Sequence, residues 1–285
     1  MDEPSKSSNT RVSVIVPTRN SADVLGACLA SISGQTRRAD EVIVCDAQST
    51  DGTKEIASSY GASVVDHVPN RSAQRNRGAD LASGDFLVFI DSDMQLTPRV
   101  LEDCLDRVTA EDAALVIHEV FVGDGFWAHV RSHERSFYDG VWWIEAARFY
   151  RASAFRTVGG FDESMIGPED WDLDQRIRTQ GTVGRTQAGI EHNEGQTSFG
   201  RLLKKKAHYA GSMSSFALRH PDRANRALSP LNRVKLFARQ PAKLLAHPAR
   251  TAGLVGLGIA EVAVVHGLGK SWDQDSSELA RQPTP

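Results

Sequence analysis

Covalent cross-linking has little to work with here, since 285 residues contain three cysteines, Cys28, Cys45 and Cys104. They are far apart, odd in number and set in apolar patterns, which fits neither a disulfide framework nor a cysteine-ligated metal cluster. They read as reduced core residues. Residues 1–10, MDEPSKSSNT, lack any run resembling the centre of a signal peptide, so this stretch reads as a disordered tail and the cytosol is the expected compartment. Net charge is also small, −3, so any pull toward a charged partner must come from how charges are distributed. What remains, 40% hydrophobic and 24% charged residues, is ordinary globular material, long enough for one large domain plus an appendage.

The charge distribution is uneven. From Phe199 to Arg250 there are twelve Lys or Arg and one acid, Asp222, against 21 basic and 35 acidic residues elsewhere. Such a segment usually meets an anion. Along the chain, β-branched runs alternate with helical spacing. Strands are expected at Arg11–Val16, Glu41–Cys45, Ser63–Asp66, Asp85–Ile90 and Ala113–Val122. Helices are expected at Ser21–Gly34, Thr53–Tyr60, Ser72–Ala82, Pro98–Val108 and Glu169–Gln180. This alternation predicts an α/β fold with a doubly wound, mostly parallel sheet. After residue 198 no strand is expected, and Pro230, Pro241 and Pro248 divide the rest into short helical pieces.

Three constellations carry chemistry. Asp91-Ser92-Asp93 follows the buried strand LVFI, at the edge where open α/β sheets bind ligands. Residues two apart in extended backbone point the same way, so both carboxylates can address one hard cation and its phosphates. The stretch Asp46-Ala47-Gln48-Ser49-Thr50-Asp51-Gly52-Thr53 follows another buried strand. It suits a turn with a helix cap, and Asp46 emerges at the same edge, within reach of a base or ribose. Glu169-Asp170-Trp171-Asp172 opens a helix, whose dipole stabilises acids by roughly 0.3–1 kcal/mol and keeps them ionised, as a general base requires.

The ordered motifs PTRN (Pro17 to Asn20), DAQSTDGT (Asp46 to Thr53), RNRGADLASGD (Arg75 to Asp85), FIDSD (Phe89 to Asp93), GGFDE (Gly159 to Glu163) and EDWD (Glu169 to Asp172) resemble the family two, GT-A-fold inverting glycosyltransferases over about residues 11–195. The resemblance implies a GT-A domain at 11–198, beside which composition marks a basic and apolar helical extension at 199–270 and a polar tail at 271–285. Pro17, Thr18, Asn20, Asp46, Arg75, Asp91 and Ser92 would hold the nucleotide. Asp93 would ligate Mg²⁺ or Mn²⁺, with Asp91 in support and His192 near the metal or diphosphate. Asp170 would be the base and Glu169 would position the acceptor. Two positions depart from the common pattern: Ser21 stands where an acid is usual, and Ala47 replaces the second acid of DDGSTDGT. No QxxRW motif of processive synthases appears, which points to transfer of a single sugar to a glycan or lipid-linked acceptor.

Two other readings stand beside this one. A sugar-nucleotide nucleotidyltransferase would need a Gly-rich basic loop after the first strand, where PTRNSADVLG offers only Arg19. A non-catalytic sugar-nucleotide-binding module would not need a paired acid on a helix. Nucleic acid is not expected, because the basic segment lacks interleaved aromatics. Thr251 to Gly269 is apolar but interrupted by Glu261 and His266, so a spanning helix is not expected. An element at an anionic membrane surface, with Lys204, Lys205, Lys206, Arg239 and Lys243 toward head groups, accounts for both the apolar run and the charge.

Overall fold

The computed structural model describes residues 10–66 and 70–279. In chain order the elements are β1 (Val12–Thr18), α1 (Ala22–Ser33), β2 (Glu41–Asp46), α2 (Thr53–Ser59), β3 (Ser63–Asp66), α3 (Arg71–Leu81), β4 (Phe86–Phe89), β5 (Met94–Leu96), α4 (Val100–Arg107), β6 (Asp112–Asp124), α5 (Phe126–Ser136), β7 (Phe149–Arg151), α6 (Ala152–Thr157), α7 (Glu169–Ile177) and β8 (Thr182–Gln196). Five helices follow: α8 (Phe199–Arg219), α9 (Pro221–Ala227), α10 (Pro230–Ala238), α11 (Pro241–Ala246) and α12 (Pro248–Leu279). The residues fall into two compact units. One runs up to Phe121 and resumes over Tyr138–Asn193; the other takes Val122–Phe137 and the chain from Glu194 onward.

The first unit holds an α/β sheet ordered β3-β2-β1-β4-β7-β6-β8-β5. Its first four strands are parallel, with β1 seated between β2 and β4. Beyond β4 the pairing turns antiparallel, β7 against both β4 and β6, and β5 against β8. Alternate residues of β1 feed opposite faces, as a pleated strand requires. Val12, Val14 and Val16 pack with Leu25, Cys28 and Leu29 of α1, while Ile15 packs with Ala79 of α3, Phe155 and Leu173. Burial on both faces explains the nearly all-apolar strands. All three cysteines are buried and in no disulfide, and burial pushes the Cys45 thiol up to about 11.

Strand β1 continues through Pro17, where the sequence suggests a stop. Pro17 lies beyond Ile15, the last residue paired with β4, so its missing N–H breaks no ladder on that side. Strands β5, β7 and β8 and helices α5 and α6 are additional to the expected elements. Two of those strands are three residues long. The 15-residue β8, TVGRTQAGIEHNEGQ, carries charges and glycines that hide its strand character. The glycines serve close approach: a Cβ at Gly189 would lie 2.9 Å from the His118 carbonyl oxygen on β6.

The second unit is mainly helical, and no strand begins after residue 198 among the described residues. It includes α5, from inside the 11–198 stretch. Ser198 caps α8 by accepting from Arg201 N–H, and Ser229 caps α10 by accepting from Asn232 N–H. Prolines open α9, α10 and α11, the helical position at which a missing N–H costs least. Helix α12 runs through residues 271–279 of the expected polar tail; residues 1–9 and 280–285, and the side chains of Lys206 and His266, lie outside the described residues. Among those described, no helix is long and apolar enough to cross a membrane.

Candidate active site

The carboxyl ends of β1 and β2 form one side of the site. Asp46, the last residue of β2, is completely buried. It accepts hydrogen bonds from Thr18 Oγ1 (2.8 Å), Ser49 N–H (2.8 Å) and Ser49 Oγ (2.5 Å). Its carboxylate is therefore occupied in folding the loop. Asn20 and Gln48 adopt positive φ, 47° and 55°, a costly conformation outside glycine. For Asn20 the loop holds it there: its N–H donates to Ser49 Oγ at 2.7 Å and its Oδ1 accepts from Thr50 N–H at 2.9 Å. Gln74 of α3 ties the strand ends together by donating to the carbonyls of Thr18 and Cys45. Sequence reasoning missed Gln74. Its only signal is its place one residue before Arg75.

The other side is a chain of alternating charges. Arg75 is 2% exposed and pairs with Asp91 Oδ1 at 2.6 Å and Glu169 Oε1 at 3.3 Å. Its guanidinium lies 5.1 Å from the Phe161 ring centroid, close enough for cation–π attraction. Arg148 reaches Asp91 Oδ2 at 3.6 Å and pairs tightly with Glu119 through Nε. Glu119 faces His192 Nδ1 at 3.5 Å, and His192 Nε2 faces Asp93 Oδ2 at 3.5 Å. The order is thus Glu169, Arg75, Asp91, Arg148, Glu119, His192, Asp93. Arg148 and Glu119 were not expected. Arg148 is fixed by register, because Phe89 N–H donates to its carbonyl and its own N–H donates to Leu115 of β6.

Sheet pairing also brings Asp93 to His192. Met94 pairs with His192 across β5 and β8, and Asn193 N–H donates to the Asp93 carbonyl at 3.0 Å. Phe121 stacks on the imidazole with centroids 4.8 Å apart. Ser92 Oγ meets Ser21 Oγ at 3.1 Å, so a serine at position 21 joins the DxD turn to the PTRN loop.

Burial alone would raise the Asp91 carboxyl, but Arg75, then Arg148 and Arg71, hold it far below its usual range. Glu119 is likewise lowered to about 2, with Arg148 outweighing burial. For His192 burial works downward, yet Asp93 and Glu119 raise it to about 9. Glu169 goes the other way, raised to about 7 by burial and then by the charge of Asp170, with Arg75 only partly offsetting them.

Helix α7 presents that acidic pair. Gly159, Gly160 and Gly167 all have positive φ, and a Cβ at Gly160 would also sit 2.5 Å from Asn76 Oδ1. The GGFDE motif is therefore a backbone requirement. Glu169 Oε2 accepts from Gly167 N–H at 2.7 Å, and Trp171 Nε1 donates to the Ile144 carbonyl. Asp172 is buried and pairs with Arg176 at 2.7 Å. Asp170 differs from its neighbours: its Oδ1 is enclosed without a hydrogen-bond partner, 4.0 Å from Arg75 Nη1, while the side chain is 37% exposed. The exposure therefore lies on the rest of the carboxylate, and Oδ2 is the oxygen open to an incoming hydroxyl.

A divalent cation is a matter of donor chemistry. Among the described residues no three or more His, Cys, Asp or Glu side chains are grouped to hold a metal alone. Asp91 is engaged by two arginines. The Asp93 side chain, 42% exposed, faces His192 at 3.5 Å. One open carboxylate beside an imidazole fits Mg²⁺ or Mn²⁺ shared with substrate phosphates and water, the usual habit of these ions.

A sequence profile of glycosyl transferase family 2 matches residues 13–165. The chain is 31% identical over 242 residues to the pre-mycofactocin glycosyltransferase of Mycobacterium tuberculosis, covering 77% of this chain and 50% of that one. It thus spans about half the length of that relative. It is 33% identical over 178 residues to a PGL/p-HBAD biosynthesis glycosyltransferase of Mycobacterium bovis, covering 58% of this chain and 68% of the relative. Its fold is similar to that of the mannosyltransferase PcManGT from Pyrobaculum calidifontis, solved with GDP-Man and Mn²⁺, at TM-score 0.61 and 20% identity over 92% of this chain and 88% of the other. It is also similar to S. aureus TarS 1-349 in complex with UDP, at TM-score 0.55 and 18% identity over 83% and 72% of the two chains.

Proposed function

The chain belongs to glycosyl transferase family 2, and from that premise we propose that it moves a single sugar from a nucleoside-diphosphate sugar to an acceptor hydroxyl with inversion. The observation that carries this reading is the pair of exposed carboxylates at the two ends of the charge chain. Asp93, 42% exposed, faces His192 at one end, and Asp170, 37% exposed, lies 4.0 Å from Arg75 at the other. Nucleotide binding alone has no use for the second.

Asp170 takes the proton of the acceptor hydroxyl as that oxygen bonds to the anomeric carbon. The bond from that carbon to the diphosphate breaks, and the diphosphate leaves with the electron pair. Glu169 orients Asp170 through their shared neighbour Arg75. Thr18, Asn20 and Pro17 shape the nucleoside side, where Asp46 fixes the loop. Asp93 would be the metal's direct protein ligand, with His192 beside it. When bound, Mg²⁺ or Mn²⁺ supplies positive charge to the departing diphosphate.

The solved relatives' ligands, GDP-Man with Mn²⁺ and UDP, support this donor class and leave the base and sugar open. The acceptor is read as a cell-envelope, lipid-linked or polysaccharide hydroxyl on the resemblance of the motifs. The test is a thermal-shift series with UDP-, GDP- and dTDP-sugars with and without Mn²⁺, followed by NMR of fresh product. A donor that binds the native state raises its apparent stability. Asp93→Ala should lose the Mn²⁺-dependent shift and all transfer while keeping its fold. Near-normal turnover by that variant would remove the metal assignment, and retained anomeric configuration would remove the mechanism.

A further inference from the structure

The helical unit has an unusual surface. Of the fourteen large hydrophobic residues exposed among the described residues, seven fall between Leu228 and Val262. On α12 the inward face is Leu254 and Leu257, both buried, with Gly253 lying close against Val130 and Phe126 of α5. One helical period away, Ala252, Val255, Gly256, Ile259, Val262 and Ala263 are exposed, with no charged residue among them. Val255 and Ile259 are 58% and 68% exposed. On α10, Leu231, Val234, Lys235 and Ala238 form an exposed stripe of the same spacing.

Glu261 does not interrupt the apolar face. It turns to Arg233 of α10 at 3.6 Å, and Arg233 also meets Glu134 of α5 at 3.9 Å. The ion pair ties the inward sides of α10 and α12 together and leaves their apolar sides outward. Charge is one-signed as well, because no acid occurs from Arg223 to Ala260 while Lys235, Arg239 and Lys243 are exposed there.

We propose that the outer faces of α10 and α12 lie in the head-group region of an anionic bilayer, with Val255, Ile259, Leu231 and Val234 entering the acyl boundary and Lys235 and Arg239 meeting lipid phosphates. Aliphatic side chains flanked by cations, without acids, suit that interface. A second copy of the chain would bring two cationic faces together, which opposes pairing. Nucleic acid would want exposed aromatics, and the seven exposed residues here are Leu, Val and Ile. The proposal is independent of the chemistry assigned to the sheet unit.

The experiment is co-sedimentation of the full chain with phosphatidylcholine vesicles, and with vesicles of phosphatidylcholine and phosphatidylglycerol, across a salt series. Sedimentation with the anionic vesicles at low salt, declining as salt rises, is expected. Lys235→Glu with Arg239→Glu should lower the partition coefficient by at least about fivefold per residue. Val255→Asp with Ile259→Asp should abolish binding at every salt concentration, with the melting temperature confirming that this exposed pair leaves the fold intact. A full chain that stays in the supernatant with anionic vesicles at low salt overturns the proposal. So does vesicle binding that neither double variant changes, including the case in which Val255→Asp with Ile259→Asp instead dissolves a dimer in sedimentation velocity. A chain that sediments yet transfers no sugar would sink the proposed activity and leave this surface standing.

Discussion

The two sides of the site are held by different physics. Around Asp46 one buried carboxylate accepts three hydrogen bonds from hydroxyl and amide groups, all within the loops after β1 and β2. On the other side, full charges alternate through Arg75 of α3, Asp91, Arg148 and Glu119. Losing one donor at Asp46 leaves two others. Losing one member of the chain leaves a buried charge unbalanced, which costs far more than the pair was worth. The first side should therefore yield gradually and the second abruptly.

The largest effect should come where the charged side meets chemistry. Asp170→Asn keeps the shape of the side chain but cannot take a proton, so turnover should fall roughly 10²–10⁴-fold with donor affinity little changed. Steady-state kinetics beside donor titration separates the two. A loss seen only in donor affinity would make Asp170 a binding residue and return the site to the nucleotide-binding alternative. Next comes Arg148→Met, which leaves Glu119 with His192 alone and weakens the hold on Asp91. It should cost about 3–5 kcal/mol in urea unfolding, the usual penalty for breaking a buried pair from one side. A cost near 1 kcal/mol would erase the contrast between the two sides.

That contrast also explains what could be read from the chain. Asp46 and Asp93 lie at or just after the carboxyl ends of apolar strands, so strand pattern plus the edge rule for α/β sheets locates them, whereas Thr18 and Asn20 come from the family resemblance. Arg148 and Glu119 stand 29 residues apart and meet only because a three-residue strand, β7, pairs antiparallel with both β4 and β6. A strand that short has no period to detect. The partner of Asp93 was legible only as a lone histidine, since β8 hides behind glycines and charges. The bonding of Asp46 was not legible for a different reason: a sequence shows that a carboxylate reaches the edge, but not that neighbouring donors already engage it.

Acidity gives an intermediate effect. Glu169 has a folded value of about 7, above its ordinary 4.5, so the folded state binds the proton more tightly than the unfolded chain. That contribution is complete below about pH 4.5 and is lost as pH rises through 7. The stability of the parent relative to Glu169→Gln, which cannot titrate, should fall between pH 5 and pH 8, by on the order of 2–3 kcal/mol. Urea unfolding of both proteins at the two pH values measures it. A difference that stays flat or grows with pH would mean that Arg75 keeps Glu169 ionised throughout, against the burial and Asp170 charge that raise it.

The smallest effect belongs to the hydrogen-bonded side. Thr18→Val removes the hydroxyl that Asp46 Oδ1 accepts at 2.8 Å while nearly preserving volume. Oδ1 keeps the Ser49 hydroxyl and Oδ2 keeps the Ser49 amide, so neither oxygen is orphaned. The cost should be about 1.5–2 kcal/mol, the low end of the range for a hydrogen bond to a charged group, with no added penalty for an orphaned oxygen. Urea unfolding reads the stability, and titration with the donor identified by thermal shift reads the binding. Because the loop carrying Asn20 and Ser49 is held through Asp46, donor affinity should weaken in step with stability. If instead affinity collapses while unfolding is unchanged, Thr18 contacts the nucleotide directly and Asp46 holds the ligand more than the loop.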